Sequence, residues 1–245
     1  MDPMTFDAPR LSFSHAVAAP RRPHRVAFAA TIGGSPVDQE TENICRDSMR
    51  NFKNVGSTVE EITIDLEDLE DTFLALRSQE FVIDRELQLQ RYRDQIKPDI
   101  IWNTELGLEQ SIPTLAKAER ARAALYMQFN ELFSQYDLIV TPGANTPAFD
   151  VELRYPEAID GIKLEHYMAA STLTAAVTIS ASPALSLPCG FDQYGRPIGL
   201  QLIGRPRGEA ALLAAGALFE IESGLAEQVP IDPRHGKVPP MGKLT

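Results

Sequence analysis

Cys189 stands before Gly190 near the end of an apolar run, with His166 upstream of it, so a thiol–imidazole nucleophile is available if the fold brings the two together. A cysteine nucleophile needs a neighbouring cation or base to lower its pKa, and Ala184 to Cys189 supplies none. Free cysteines are ordinarily small buried hydrophobes, which is the economical reading of Cys189 and of Cys45. Gly33-Gly34-Ser35 follows an apolar run and precedes an amphipathic one, where backbone N–H groups could cradle an anion. It lacks the spacing of the dinucleotide fingerprint and of the phosphate loop, and Pro36 removes a donor, so a structural turn is expected. The runs Glu60-Glu61 and Glu67-Asp68 to Glu70-Asp71 lack the loop glycines of a calcium site and fall at helix-start spacing, where carboxylates complement the helix dipole. Surface or capping roles suit His15, His24, His166 and His235, and Arg91, Arg93, Lys117, Arg120 and Arg122 read as solvated helix charges. Spacing alone thus assigns neither a catalytic residue nor a metal ligand.

The elements that would carry these residues follow from periodicity. Residues 1–24 hold Pro3, Pro9, Pro20 and Pro23 and read as an extended lead-in. Arg25 to Thr31 reads as a buried strand ended by Gly33-Gly34, and Asp38 caps a helix with Val37, Thr41, Ile44, Cys45, Met49 and Phe52 on one face. Gly56 stops that helix, and Thr58 to Ile64 completes a strand–helix–strand unit. Residues 67–95 form a long charged helix that Pro98 ends, and Thr114 caps a second helix with the stripe Ala118, Ala121, Leu125, Phe129, Leu132 and Tyr136. A strand over 137–141 and a helix over 164–177 follow. Strands Ala184 to Cys189 and Pro197 to Ile203 are joined by a hairpin-length connection, and the last helix spans Gly208 to Ser223. Residues 25–229 read as one continuous α/β portion of a domain, and 230–245 as a Pro-rich surface tail.

The chain's 245 residues, 44% of them hydrophobic, can fill a sizeable core. With 23 basic against 34 acidic residues the net charge is −11, which repels phosphate backbones and anionic lipid and argues against nucleic acid and membrane as partners. Cys45 and Cys189 have neither disulfide-framework nor zinc spacing. Without a secretory h-region or a long apolar run, the protein reads as cytoplasmic.

The most specific text is Ser182-Pro183-Ala184-Leu185-Ser186-Leu187-Pro188-Cys189-Gly190-Phe191, then Gly195-Arg196-Pro197-Ile198-Gly199-Leu200-Gln201-Leu202-Ile203-Gly204 and Glu209 to Leu213. It resembles the C-terminal signature of the amidase signature family. Tyr136 to Pro142, Val26 to Val37 and Asp2-Pro3-Met4-Thr5 are similar to segments upstream of that signature in the same order. The resemblance implies an α/β fold, specifically part of an α/β/α layered fold with a mixed β-sheet. It also implies cleavage of a carboxamide C–N bond through a seryl acyl-enzyme, with no cofactor and no metal. Family members use two serines in a Gly/Ser-rich loop and a lysine on an earlier strand, and none has a counterpart here: Gly33-Gly34-Ser35 runs into Pro-Val-Asp, and Lys53, Lys97, Lys117, Lys163, Lys237 and Lys243 lie in helical, loop or tail contexts. The expectation is therefore the C-terminal portion of an amidase, without catalytic residues of its own and inactive alone. Its partners would be the missing N-terminal half or further copies of itself, with a small-molecule amide as substrate of the complete enzyme. The alternative is a non-catalytic binding or assembly subunit on the same scaffold. By the resemblance Thr141, Pro142, Ala169, Leu173 and Thr178 border the acyl pocket, and Thr178 and Ala181 stand where relatives commonly carry Asn and Gly.

Overall fold

Arg25–Phe28 (β1) is short, β-branched and aromatic in part, and buried on both faces, as a central strand of a covered sheet must be. The computed structural model describes residues 12–225 and residue 228. Around β1 forms a five-stranded sheet in the order β2-β1-β3-β7-β6, comprising Thr58–Glu61 (β2), Leu138–Pro142 (β3), Ala184–Phe191 (β6) and Pro197–Ile203 (β7). β2 and β3 run parallel to β1, whereas β7 is antiparallel to β3 and β6 antiparallel to β7. The sheet is mixed, and the expected strand–helix–strand unit is present.

Strand alternation sends two sets of side chains to opposite faces. Val26, Phe28, Leu138, Val140, Leu200 and Leu202 meet Cys45 of Gln39–Ser48 (α2), Phe52 of Arg50–Asn54 (α3), and Leu212 and Phe219 of Glu209–Ser223 (α8). The Phe52 and Phe219 rings lie 5.3 Å apart. On the other face Ala27, Ala29, Ile139 and Ile203 meet Leu69 of Leu69–Tyr92 (α4), Leu125, Phe129 and Phe133 of Ile112–Gln135 (α6), and Leu173 and Ala176 of Thr172–Ile179 (α7). This makes the α/β/α layering. The small residues Ala27 of β1 and Ala29 just after it leave room for the phenylalanines of α6.

Capping explains some of the boundaries. Asp38 accepts the Thr41 N–H at 2.8 Å and starts α2, as expected, and Gly56 takes φ +85° after α3. Other expectations fail. Phe13–Ala18 (α1), inside the stretch read as extended, is helical: the Ser12 hydroxyl accepts the His15 N–H, and the segment packs beside α8. The long helical stretch does stop at Gln95, ahead of Pro98, but Pro98 also opens an unexpected helix, Pro98–Leu108 (α5), because proline at the first helical position gives up an N–H that has no partner there anyway. α6 is capped by Ser111 rather than Thr114, whose N–H donates to the Ser111 hydroxyl at 3.2 Å. The expected helix over 164–177 is a 3₁₀ turn, Tyr167–Ser171, followed by α7, and a small hairpin of Ala158–Ile159 (β4) and Ile162–Lys163 (β5) precedes it. The Pro-rich tail, His235, Lys237, Lys243 and Asp2 to Thr5 lie outside the described residues.

Candidate functional site

β1, β2 and β3 are mutually parallel through β1, so their carboxyl ends open at one edge of the sheet, the usual place for a site in an open α/β fold. Three loops gather there. Gly33 and Gly34, at φ +58° and +70°, turn the chain after β1, and the Gly33 N–H donates to Ile64 O of the loop after β2 at 2.8 Å. Asn145, in the loop after β3, donates to Pro36 O at 2.6 Å and accepts the Asp38 N–H on its own backbone carbonyl at 2.8 Å. Between these loops and the start of α4 lies an open cleft of about 320 Å³, lined by Gly33 to Pro36, Leu66, Asp68 to Asp71 and Thr172.

The glycine loop is no anion cradle. Its Gly33 N–H is spent on Ile64, the Ser35 N–H on Ile32 O at 3.2 Å, and Pro36 has none. Asp68, Glu70 and Asp71 give the cleft negative charge, which disfavours an anion further. The structural turn expected for Gly33-Gly34-Ser35 is what forms.

Ser35 donates to the Thr172 hydroxyl at 2.5 Å, and Thr172 in turn donates to Ala169 O at 3.1 Å. That chain joins the β1 loop to the start of α7, and among the described residues the Ser35 hydroxyl is bonded to no base. His166, at the entry to the 3₁₀ turn, points Nε2 at the Glu70 carboxylate at 2.8 Å and lies 5.6 Å, centroid to centroid, from Trp102 of α5. Its Nδ1 is buried without a partner. Trp102 belongs to α5, a helix that the periodicity of the sequence does not announce.

His166 and Cys189 are not brought together. His166 belongs to the wall formed with α4 and α5, whereas Cys189 sits in the core on the α2 and α8 side of the sheet, its Sγ 3.8 Å from Cys45 Sγ. The thiol–imidazole arrangement therefore does not exist in this fold. Among the described residues no serine, threonine or cysteine is hydrogen-bonded to a lysine ammonium or a histidine ring, and Lys117 is paired with Asp68 at 2.6 Å. No group of three or more His, Cys, Asp or Glu gathers as a metal site among those residues. Nor is any helix among them long and apolar enough to cross a membrane.

The residues expected to border an acyl pocket are placed as follows. Thr141 and Pro142 end β3 at the cleft edge of the sheet and are buried, with Thr141 Oγ1 accepting from Gln201 at 3.3 Å. Ala169 packs on Ile159 and Leu164, and Leu173 lies in the core beneath the sheet, so the two flank Thr172 of the cleft wall. Thr178 is exposed on the last turn of α7 and donates to Thr174 O at 3.2 Å.

A sequence model of the family described as Amidase matches residues 1–213. The chain is 28% identical to the A subunit of glutamyl-tRNA(Gln) amidotransferase from Lactiplantibacillus plantarum, over 80% of the chain and 44% of that protein. It is 24% identical to an acylamidase of Rhodococcus erythropolis, over 94% of the chain and 49% of the relative. The crystal structure of a bacterial aryl acylamidase of the amidase signature family superposes with a TM-score of 0.80 at 21% identity, covering 92% of this chain and 49% of the other, a likeness of fold. The chain thus spans about half the length of the relatives it matches.

Proposed function

This chain belongs to the amidase family, and we propose that it is the C-terminal portion of an amide-hydrolysing enzyme, inactive by itself. One observation carries the reading: the cleft holds a serine hydroxyl, but Ser35 is bound to Thr172, and among the described residues neither a lysine nor a histidine lines the cleft beside it. A serine attacks an amide carbonyl only when a base takes its proton, and lysine is such a base only when desolvated against it. The nucleophile and base would come from the other half of the fold, and Thr141, Pro142, Ala169, Leu173 and Thr178 would border the acyl pocket. The span of about half the relatives' length supports this. In the complete enzyme the substrate is a carboxamide, cleaved through a seryl intermediate without a cofactor, and the setting is the cytoplasm. Reading the coding sequence upstream of Met1 tests the proposal. An in-frame Gly/Ser-rich loop and lysine-bearing strand support it, and an intergenic region there argues against a single longer enzyme.

The second reading, a non-catalytic binding or assembly subunit, has its own support in the sheet edges. β2 carries Glu60 and Glu61, paired to Arg25 and Arg46, and β6 carries Pro188 and a break in register between Pro188 and Gly190. Charges, proline and bulges are what proteins use to blunt an edge that no further strand covers. The amidotransferase relative is, by its name, one part of an assembly.

A further inference from the structure

The only two cysteines of the chain are 144 residues apart in sequence, and the fold sets their sulfur atoms 3.8 Å from each other. Both are free and buried, Cys45 on α2 and Cys189 on β6. Two local features produce the meeting. A Cβ at Gly190 would lie 2.8 Å from Ile44 Cγ2, so the glycine is what lets α2 settle this close to the strand. The β6–β7 register steps from Pro188↔Gly199 to Gly190↔Ile198, so Cys189 is the unpaired residue of a bulge, outside the regular ladder of β6. From 3.8 Å the sulfurs need to approach by about 1.7 Å to reach a bonded distance.

We propose that Cys45 and Cys189 are a two-electron oxidation site that closes into an intrachain disulfide under a small neutral peroxide. Cys189 reacts first, being 9% exposed where Cys45 is 0%. Its sulfur takes one oxygen of hydrogen peroxide as the O–O bond breaks, giving a sulfenic acid and one water. The Cys45 sulfur then attacks that sulfur; the S–S bond forms, the S–O bond breaks, and the hydroxyl leaves with the Cys45 proton as a second water. Two thiols are oxidised and one peroxide is reduced to two waters. The contact with Cys189, together with burial, raises the Cys45 thiol pKa and keeps it protonated, so closure waits on local opening at the bulge. The bridge would fix α2, which follows directly on the Gly33 to Pro36 loop, to the outer strand of the sheet.

The test is intact-mass spectrometry on the full chain after hydrogen peroxide, with alkylation under denaturing conditions. The expected result is a loss of two hydrogens, no alkylation and one linked peptide pair carrying Cys45 and Cys189. The melting temperature should rise by roughly 4–10 °C over the reduced chain, since the closed loop is long, and dithiothreitol should reverse both changes. Two alkylatable thiols surviving a dose that oxidises the exposed Met127 would overturn the proposal, as would thiol loss only to sulfinic acid or to bridges between chains. The wild-type chain alone decides, so no buried-cysteine variant has to fold.

Discussion

Ser35 and Thr172, 137 residues apart, share a buried 2.5 Å hydrogen bond that ties the loop after β1 to the first residue of α7. Thr172 accepts from Ser35 and donates to Ala169 O, so its hydroxyl serves two partners and Ser35 only one. Thr172→Val removes the acceptor and leaves the Ser35 hydroxyl unpaired, which costs about 1–3 kcal/mol. Ser35→Ala leaves Thr172 still bonded to Ala169 O and should cost about 1 kcal/mol. Denaturant unfolding of both variants checks the order, and Ser35→Ala as the more damaging change would contradict it.

Asp192 makes part of the stability pH-dependent. Burial alone would raise its carboxyl, but the N–H of Arg196, the Arg196 guanidinium and the N–H of Tyr194 outweigh that and hold it below the usual 3.8. The unfolded chain therefore takes up the proton first on acidification. The stabilisation is complete above the ordinary value and is lost as the pH falls below it toward the folded value. Asp192→Asn should cost about 1–3 kcal/mol at pH 7, and the gap to wild type should narrow as the melting temperature is followed from about pH 5 down to about pH 3. A gap that stays constant would mean the charge contributes nothing.

Two small residues are expected to respond oppositely to substitution. A Cβ at Gly107 of α5 would fall 2.3 Å from Ser78 O of α4, against rigid backbone. Gly107→Ala should destabilise by about 1–3 kcal/mol despite alanine's better helix propensity. Ala181 sits at φ +56°, a left-handed conformation that costs an L-residue about 1–2 kcal/mol. Ala181→Gly should stabilise by about 0.5 kcal/mol once the extra freedom of the unfolded chain is subtracted. Paired thermal melts give both signs.

How much of the fold is legible in the sequence depends on how local each cause is. The Asp38 cap and the strand from Leu138 are readable because neighbours in sequence create them. α5 is not, because Pro98 breaks a helix interior yet opens a helix at its first turn, and the choice turns on tertiary packing against α4 through Gly107. The meetings of Cys45 with Cys189 and of His166 with Glu70 join residues far apart in the chain, and no spacing rule encodes them. The family text points to the reaction class but not to the cleft, since Ser35 reads as turn chemistry and Trp102 lies in the helix that the sequence conceals.

Apolar side chains stand outward on the excursion between β3 and α7: Val151 is 90% exposed, and Phe149, Leu153 and Ile162 are exposed as well. A chain that lacks a covering partner should show such surface to a hydrophobic dye. Replacing Val151 and Leu153 together by serine should at least halve dye binding and reduce self-association by light scattering, with the unfolding midpoint unchanged. Unaltered dye binding would place the uncovered surface elsewhere.

We propose that the nucleophile and base of the complete enzyme come from outside this chain, which supplies one wall of the site. This proposal is tested most directly by measuring carboxamide hydrolysis by the purified chain alone and after co-expression with the complementary, serine- and lysine-bearing half of a family member. The prediction is turnover at the protein-free rate for the chain alone, because removing a whole nucleophile–base unit costs several orders of magnitude, and measurable hydrolysis from the co-purified pair. Turnover by the chain alone that persists through purification, or a soluble co-purifying pair with no activity, would contradict it.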